Sequence, residues 1–285
     1  MLVTMDVLLK PARAGTYAVG CFDVNNLELG IGVLEAAVEK RSPVILAIPE
    51  WGQNAAVPME TLFRHLARLA EDYPVPAALI LDHGRSIEAV VRAIRAGATA
   101  VMLDASTRPY EENVALTRQA AEIAHWAGVT AEGEVGHVGQ GAEYARIGED
   151  RKRLFTQPDQ AVEFVERTGV DALAVAVGTA HGHYAGTPKL DFDLLRQLSE
   201  LVPVPMVLHG GSGSGDENLR RASTLGVAKI NIYTDMATAA RERIGALLAD
   251  DPRKAHLGRV LVEARLAFRE VAGHYMDVFG STGRA

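Results

Sequence analysis

Eight short runs of apolar and β-branched residues divide the sequence, and segments with helical periodicity separate them. The apolar residues within each run are continuous rather than alternating, which predicts strands buried on both faces, as in a parallel sheet. Eight such strands alternating with helices are typical of a closed (β/α)8 TIM barrel, whereas an open doubly wound sheet usually has fewer. The predicted strands are Tyr17–Cys21, Pro43–Ile48, Ala78–Leu81, Ala100–Leu103, Val129–Glu134, Ala172–Val177, Pro205–Leu208 and Ala228–Ile232.

Two of the segments between strands carry apolar residues at steps of three and four, which predicts amphipathic helices. These residues are Met59, Leu62, Phe63, Leu66 and Leu69 in one segment, and Ile87, Val90, Val91 and Ile94 in the other. Ser86 precedes the second segment and is predicted to be its N-cap. No linker rich in Pro, Gly or Ser divides the chain, so residues 1–285 are expected to form a single barrel domain.

An additional C-terminal helix is predicted beyond the eighth strand. Apolar residues between Leu257 and Val278 alternate steps of four and three, which makes a narrow stripe. Such a stripe suits packing on the barrel and also suits a seam between two subunits. Periodicity alone leaves both alternatives open.

The overall charge and the cysteine content exclude several classes of protein. The formal net charge is −7 at pH 7, which argues against a nucleic-acid partner, because phosphates require a basic face. Cys21 is the only cysteine, so a disulfide framework and a cysteine-rich zinc site are excluded. The N-terminal residues lack a signal-peptide pattern, and no apolar run approaches the roughly 18 residues of a membrane-spanning helix. We therefore expect no membrane partner and a cytoplasmic location.

Polar residues follow the predicted strands at the end of a barrel where active sites form. His83 follows the third strand, His209 follows the seventh, and His181 lies in a glycine-flanked loop after the sixth. Each histidine alone is explained by a structural hydrogen bond. Three imidazoles from different strands at one barrel mouth predict a catalytic zinc site with an open position.

Two acidic positions accompany the histidines. Asp82 adjoins His83, and because Gly84 follows, both side chains can reach the mouth, where a carboxylate can move a substrate hydroxyl proton. The alternative is that Asp82 caps the next helix. Glu132 and Glu134 lie on one face of a buried strand end, where two carboxylates are costly unless paired. A role in or near the metal site would explain Glu134.

Two loops late in the chain have the character of phosphate-binding sites. Glycines follow the seventh strand from Gly210 to Gly215, and residues 231–234 end the eighth strand; a helical segment follows each loop. Backbone N–H groups at such places bind phosphate in many barrels. The alternative is that these glycines only make tight turns. The dinucleotide-binding pattern G-x-G-x-x-G does not occur, so a nicotinamide enzyme is not expected. The P-loop pattern G-x-x-x-x-G-K-[ST] does not occur either.

Taken in order, these motifs resemble the class II, zinc-dependent ketose-bisphosphate aldolases, and their fructose- and tagatose-bisphosphate branch in particular. The resemblance covers nearly the whole chain. It implies a lyase that reversibly cleaves a phosphorylated ketose to dihydroxyacetone phosphate and an aldehyde. The motifs that carry it are Leu-Asp82-His83-Gly, Val-Gly-Thr-Ala-His181-Gly, Leu-His209-Gly-Gly-Ser-Gly and Lys229-Ile-Asn231-Ile-Tyr-Thr234.

The resemblance also implies roles for single residues. The zinc ligands would be His83, His181 and His209, with Glu134 as a carboxylate of the metal environment. Asp82 would be the acid/base acting on the hydroxyl across the cleaved bond. Zinc would act as a Lewis acid on the ketose oxygens.

A second set of residues would hold the substrate, a small phosphorylated sugar. The family often binds a monovalent cation, Na⁺ or K⁺, beside the dihydroxyacetone-phosphate half. Arg253 resembles the residue that binds the far phosphate, commonly across a subunit boundary. The C-terminal apolar stripe and the habit of the family suggest a homodimer or homotetramer. The residues expected around the dihydroxyacetone-phosphate half are Asp23, Gly182, Gly210, Gly211, Ser212, Gly213, Asn231, Tyr233 and Thr234.

Three departures from the family pattern bear on the substrate. Asp23 stands where the family usually has Asn, which places a carboxylate beside the expected enediolate unless it is protonated or paired. Pro49 and Glu50 follow the second strand, where a Ser or Thr near the phosphate is usual. In the mobile loop after Glu134, the glutamate that exchanges the carbon-bound proton can be matched only to Glu143, with a one-position uncertainty.

Several functional hypotheses follow. The leading one is a zinc-dependent aldolase acting on a ketose such as fructose 1,6- or tagatose 1,6-bisphosphate. The alternative is the same chemistry on a different or non-bisphosphorylated ketose, and a more remote one is a sugar-phosphate binding protein without catalysis. A Schiff-base aldolase is disfavoured because no lysine ends the sixth strand, and Lys229 is interpreted as part of the phosphate-loop strand.

Overall fold

A closed barrel of parallel strands, ordered as in the sequence, forms the centre of the protein, which confirms the predicted (β/α)8 fold. The computed structural model describes residues 1–50, 57–141, 152–184, 186, 188–250, 253 and 255–285. The strands are β1 Val19–Asp23, β2 Val44–Pro49, β3 Ala77–Gly84, β4 Ala100–Leu103, β5 Thr130–Val135, β6 Ala172–Val175, β7 Met206–Leu208 and β8 Val227–Ile232. Their bounds lie close to the predicted ones, and the largest difference is at the end of β3, which continues past Leu81 to Gly84.

Helices cover the outside of the barrel. Their described members are α1 Met5–Ala14, α2 Leu27–Lys40, α3 Met59–Glu71, α4 Ile87–Ala96, α5 Tyr110–Trp126, α6 Pro158–Thr168, α7 Phe192–Leu201, α8 Asp216–Thr224, α9 Thr234–Asp250 and α10 Leu257–Val278. Ser86 caps α4 as predicted, because its side chain accepts a hydrogen bond from the Ala89 backbone N–H at 3.1 Å. Asn26 caps α2 in the same way, accepting from the Leu29 N–H.

Helix α1, which was not predicted from the sequence, closes the N-terminal end of the barrel. Its apolar face, which includes Leu8 and Leu9, is buried together with the inward-facing apolar residues of the strands, among them Ile45 and Ile80. The helix contains Pro11, which removes one backbone donor and hides the helical pattern in the sequence. The lower half of the barrel is therefore an apolar core that α1 seals.

The C-terminal helix α10 packs against α2 and α9. Most of its apolar stripe is buried, including Phe268 and Tyr275, whereas Leu257 in the first turn is 73% exposed. At Gly32 in α2, an added Cβ would overlap the Arg265 carbonyl oxygen, so the absence of a side chain allows the two helices to approach closely. Packing within the chain thus accounts for most of the stripe.

None of the described helices combines the length and the apolar content that crossing a membrane requires.

We predict that Leu9→Ala lowers the free energy of unfolding by about 2–5 kcal/mol, because it opens a cavity in the sealed lower core. Leu9 is fully buried, whereas Val7 on the same helix is 52% exposed. The matched control Val7→Ala is expected to change stability by less than about 0.5 kcal/mol. Denaturant unfolding of the two variants measures both values, and similar losses in the two would contradict the assignment of α1 as a seal.

Candidate active site

Three histidines from different strands meet at the C-terminal mouth of the barrel. His83 lies at the end of β3, His209 follows β7, and His181 lies in the loop after β6. The centroid of the His83 ring lies 4.9 Å from that of the His181 ring and 4.7 Å from that of the His209 ring. One nitrogen of each ring lies within 4.8 Å of the others, so these side chains are able to hold a metal ion.

Each histidine has a partner for its other ring nitrogen. His83 Nδ1 lies 2.7 Å from an Asp104 carboxylate oxygen, and His181 Nδ1 lies 3.1 Å from the Val138 carbonyl. His209 Nε2 lies 3.0 Å from a Glu132 carboxylate oxygen. Because these partners only accept, each ring donates its N–H outward and directs the other nitrogen's lone pair toward the cluster.

The inward nitrogens have the chemistry of a cation site. His181 Nε2 is buried and has no hydrogen-bond partner within the described part of the chain. His83 Nε2 and His209 Nδ1 lie 3.0 Å apart, and two lone pairs at that separation repel unless a proton or a cation lies between them. Burial alone would lower the pKa of His83, but the carboxylates of Asp82 and Asp104 raise it to about 10, so a proton and a metal cation compete for His83 Nε2. The residues present therefore fit a zinc-type ion, whose usual ligands include imidazole nitrogen.

A bulge in β3 brings Asp82 and His83 to the same place. The pairing of β3 with β4 shifts between Leu81 and Gly84, and His83 has a positive φ of 48°. Consecutive side chains that would alternate across a regular strand can both face the mouth. Gly84 after His83 predicted this outcome, and the bulge is its physical cause.

Asp82 is a buried carboxylate with one oxygen held and one without a partner. Asn231 Nδ2 donates to its Oδ2 at 3.1 Å, whereas its Oδ1 has no hydrogen-bond partner among the described residues. The capping alternative is not observed, since Ser86 caps the following helix. Asp23 lies nearby, and burial, together with the charge of Asp82, raises its pKa well above the ordinary value. A raised pKa favours the protonated form of Asp23, which lessens the repulsion between the two carboxyl groups.

Glu134 faces the same cluster from β5. The Val138 backbone N–H donates to its Oε1 at 3.1 Å, and its Oε2 has no partner within the described ranges. Burial, followed by the charge of Asp104, raises the pKa of Glu134 to about 8. Together with His83 and Asp104, it forms a second group whose ligand atoms lie within 4.8 Å of one another. The mouth thus offers two overlapping positions to a cation.

Glu132 and Lys229 form a buried ion pair that the sequence analysis missed. Lys229 Nζ donates to both carboxylate oxygens of Glu132 at 2.9 Å, and neither side chain is exposed. Lys229 lies on β8, the strand that ends at residues 231–234, as the sequence predicts, and its side chain contacts Glu132 in the barrel interior. The sequence indicates that Glu132 and Glu134 on one strand face require a positive partner, but not which residue supplies it.

The two loops predicted to bind phosphate are joined to each other. The Ser212 hydroxyl accepts hydrogen bonds from the backbone N–H groups of Tyr233 and Asp235 at 3.2 and 3.3 Å, and the Gly213 N–H donates to the Asp235 carboxylate at 2.9 Å. Gly210 has φ 66°, and a Cβ there would overlap the Ala180 carbonyl oxygen. Only glycine fits at that position.

Most of the predicted substrate residues line one continuous opening above the histidines. A cavity of about 1070 Å³ includes Pro49 and Glu50 in its wall beside His83. A smaller pocket of about 60 Å³ adjoins it at the histidines. The residues that line the smaller pocket are Asp23, Asp82, His83, Ala180, His181, Gly182, Gly210, Ser212, Asn231, Tyr233 and Thr234.

Three predicted substrate residues line neither cavity: Gly211, Gly213 and Arg253, of which Arg253 is exposed. Glu143 lies outside the described residues.

Comparisons with known proteins agree with this fold. Residues 3–284 match the family model described as fructose-bisphosphate aldolase class-II. The chain is 42% identical over 286 residues to a fructose-bisphosphate aldolase of Geobacillus stearothermophilus, covering 100% of this chain and 99% of that one. A fructose-bisphosphate aldolase of Thermus caldophilus is 40% identical, with complete coverage of both chains.

A solved structure supports the same assignment. The crystal structure of the YdjI aldolase from Escherichia coli K12 superposes with a TM-score of 0.88 at 36% sequence identity, covering 100% of both chains. This chain therefore belongs to the class II fructose-bisphosphate aldolase family. It is an aldolase, a lyase that forms and cleaves carbon–carbon bonds.

We predict that Gly210→Ala lowers aldolase kcat/KM on the order of 100-fold, because a displacement of about 1 Å beside the reacting groups has that effect. The matched control is Gly128→Ala, since Gly128 also has a positive φ of 70° but no atom near an added Cβ. It is expected to lose only about 1–2 kcal/mol of stability to backbone strain. Steady-state kinetics and thermal unfolding separate the two effects, and an equal loss of activity in both variants would contradict the prediction.

Proposed function

We propose that the protein is a zinc-dependent aldolase that reversibly cleaves a phosphorylated ketose into dihydroxyacetone phosphate and an aldehyde. One observation carries this proposal: three histidine lone pairs converge beside the unpartnered buried oxygen of Asp82. In the proposed site, His83, His181 and His209 hold the zinc, and Glu134 provides an adjacent carboxylate. When bound, zinc polarises the ketose oxygens and stabilises the negative charge left by cleavage.

Asp82 is the proposed acid/base. Its Oδ1 accepts the proton of the substrate hydroxyl as the carbon–carbon bond breaks, and returns a proton in the condensation direction. Asn231 Nδ2 holds the other oxygen and so fixes the orientation of the carboxylate. Glu143 stays a prediction for the carbon-bound proton.

The proposed binding of the phosphate half uses the joined loops. Gly210 and Gly182 line the pocket, and their lack of a side chain allows a ligand to approach the main chain closely. Gly211 and Gly213 belong to the same loop, and their N–H groups hold its shape by donating to the Asn231 carbonyl and the Asp235 carboxylate. Ser212 already ties this loop to residues 233–235, so both loops present one rigid surface to the ligand. Asn231, Tyr233 and Thr234 complete the wall.

A second candidate function keeps the chemistry and changes the sugar. Asp23, Pro49 and Glu50 line the cavity beside the metal cluster, where the family usually supplies a neutral donor and a hydroxyl. The raised pKa of Asp23 favours a protonated carboxyl group, which can donate to a substrate oxygen. Glu50, whose carboxylate accepts from the Arg85 N–H at 3.0 Å, adds negative charge. These features favour a ketose with fewer phosphates.

A Schiff-base mechanism is disfavoured by the state of Lys229. Burial lowers its pKa, but the surrounding negative charge has the larger effect and the pKa lies above its ordinary value. A protonated amine that donates to both oxygens of Glu132 has no lone pair for attack on a carbonyl.

We also propose that the enzyme works as a homodimer or homotetramer in the cytoplasm. The exposed position of Arg253, away from the cavity of its own chain, supports a role across a subunit boundary. Cys21 is a buried free thiol, which suits a reducing compartment. A bound Na⁺ or K⁺ beside the phosphate loops stays a prediction.

We predict that chelation abolishes cleavage and that added zinc restores it, because no other group of the site replaces a Lewis acid. The assay measures metal content together with cleavage of fructose 1,6- and tagatose 1,6-bisphosphate. Undiminished turnover of the zinc-free protein would refute the mechanism. Restored cleavage of these two sugars supports the leading function, whereas faster cleavage of singly phosphorylated or unphosphorylated ketoses supports the second.

A further prediction concerns Asp82→Asn, which keeps the size of the side chain and removes its basicity. We expect kcat to fall about 100- to 10,000-fold, as for loss of a general acid/base, with zinc content unchanged. Asp171→Asn is the matched control, because Asp171 lies at the start of β6, at the opposite end of the barrel, where it accepts from the Ala131 N–H. A retained kcat in the Asp82 variant would overturn the assignment.

A further inference from the structure

We infer that Glu132 and Lys229 are positioning residues for His209: Glu132 sets which nitrogen of the ring faces the metal, and Lys229 keeps Glu132 from becoming a ligand itself. The inference rests on the zinc site proposed above. It assigns a purpose to the buried ion pair, which lines neither of the two cavities described above and takes no part in the proposed proton transfer.

The three side chains form one chain of contacts across the barrel interior. Lys229 on β8 donates to Oε1 and Oε2 of Glu132 on β5, both at 2.9 Å, and Oε1 lies 3.0 Å from Nε2 of His209 after β7. All three side chains are completely buried. The positions of Lys229 and Glu132 are thus determined by two hydrogen bonds, with no water competing for them.

The acceptor character of Glu132 decides the tautomer of His209. A carboxylate that already accepts from Lys229 can only accept again, so His209 Nε2 carries the proton. The lone pair of the ring is then on Nδ1, which lies 3.0 Å from His83 Nε2 in the histidine cluster. With the other tautomer, an N–H would point at the metal position and the ring would not bind it.

Lys229 also prevents a competing arrangement. Asp82, Glu132 and His209 form a third group whose ligand atoms lie within 4.8 Å of one another, deeper in the barrel than the histidine cluster. A cation there would lie below the mouth, away from the substrate cavity. The ammonium of Lys229 occupies both Glu132 oxygens and repels a second positive charge.

Stability is a weak explanation for this pair. Replacing a buried ion pair by apolar residues of similar volume is often neutral or stabilising, because desolvation offsets the attraction. A pair kept only for packing would therefore be replaceable without effect on the metal. Replacing a pair that positions His209 would weaken metal binding, and this difference in metal affinity can be measured.

The test compares two charge-neutral double variants, Glu132→Gln/Lys229→Met and Glu132→Leu/Lys229→Met. Both remove the ion pair, but only glutamine retains an oxygen that accepts from His209 Nε2. Competition with a chromophoric chelator measures the zinc affinity of each, after circular dichroism has shown that it is folded. We expect the leucine variant to bind zinc about 10- to 100-fold more weakly than the glutamine variant, the usual cost of losing the partner of a metal-bound histidine.

Equal zinc affinities in the two double variants would overturn the inference. The single variant Lys229→Met frees a carboxylate beside the metal, so its Co²⁺-loaded form is expected to show a changed d–d absorption spectrum. The spectrum of the Co²⁺-loaded glutamine double variant should match that of the parent protein. An unchanged Lys229→Met spectrum would contradict the part assigned to Lys229.

A measurement on the unaltered protein does not depend on whether any variant folds. Long-range ¹H–¹⁵N spectra of the zinc-loaded, ¹⁵N-labelled protein are expected to show His209 with its proton on Nε2, and a proton on Nδ1 would overturn the inference. Metal affinity and ring tautomer are read without any sugar. Failure to cleave the tested ketoses would therefore count only against the proposed function. Equal zinc affinities or a proton on Nδ1 would count only against this inference.

Discussion

The site depends on one constraint: a buried neutral imidazole has one N–H and one lone pair, and both need a partner. In this barrel, Asp104, the Val138 carbonyl and Glu132 each take the N–H of one histidine. The three lone pairs are thereby directed to one place. The metal-binding character of the mouth is thus set by groups that lie behind the rings as much as by the histidines themselves.

The fold could be predicted because strands buried on both faces leave continuous apolar runs in the sequence. The histidine cluster followed, since residues directly after parallel strands meet at one end of a barrel. Helix α1 could not be predicted, because Pro11 interrupts its pattern and its apolar face has meaning only against the open end of a barrel.

The contact between Glu132 and Lys229 could not be predicted from the sequence, for a related reason. The two residues are 97 positions apart, and their contact depends on how β5 and β8 face each other across the closed barrel. Asp23 was recognised as a departure from the family, but its protonation depends on its burial beside Asp82. Local sequence specifies which residues enter the interior; the closure of the barrel decides which of them meet.

Helix α1 closes the lower end of the barrel, which leaves the opposite end as the way into the site. Because Leu8 and Leu9 fill the lower end of the barrel, the mouth is the end through which a metal or a sugar would reach the histidines. In the proposed zinc enzyme, a sugar seated in the pocket would lie between the metal and bulk water. Metal exchange and substrate binding would use the same opening, so saturating substrate would slow the loss of the metal.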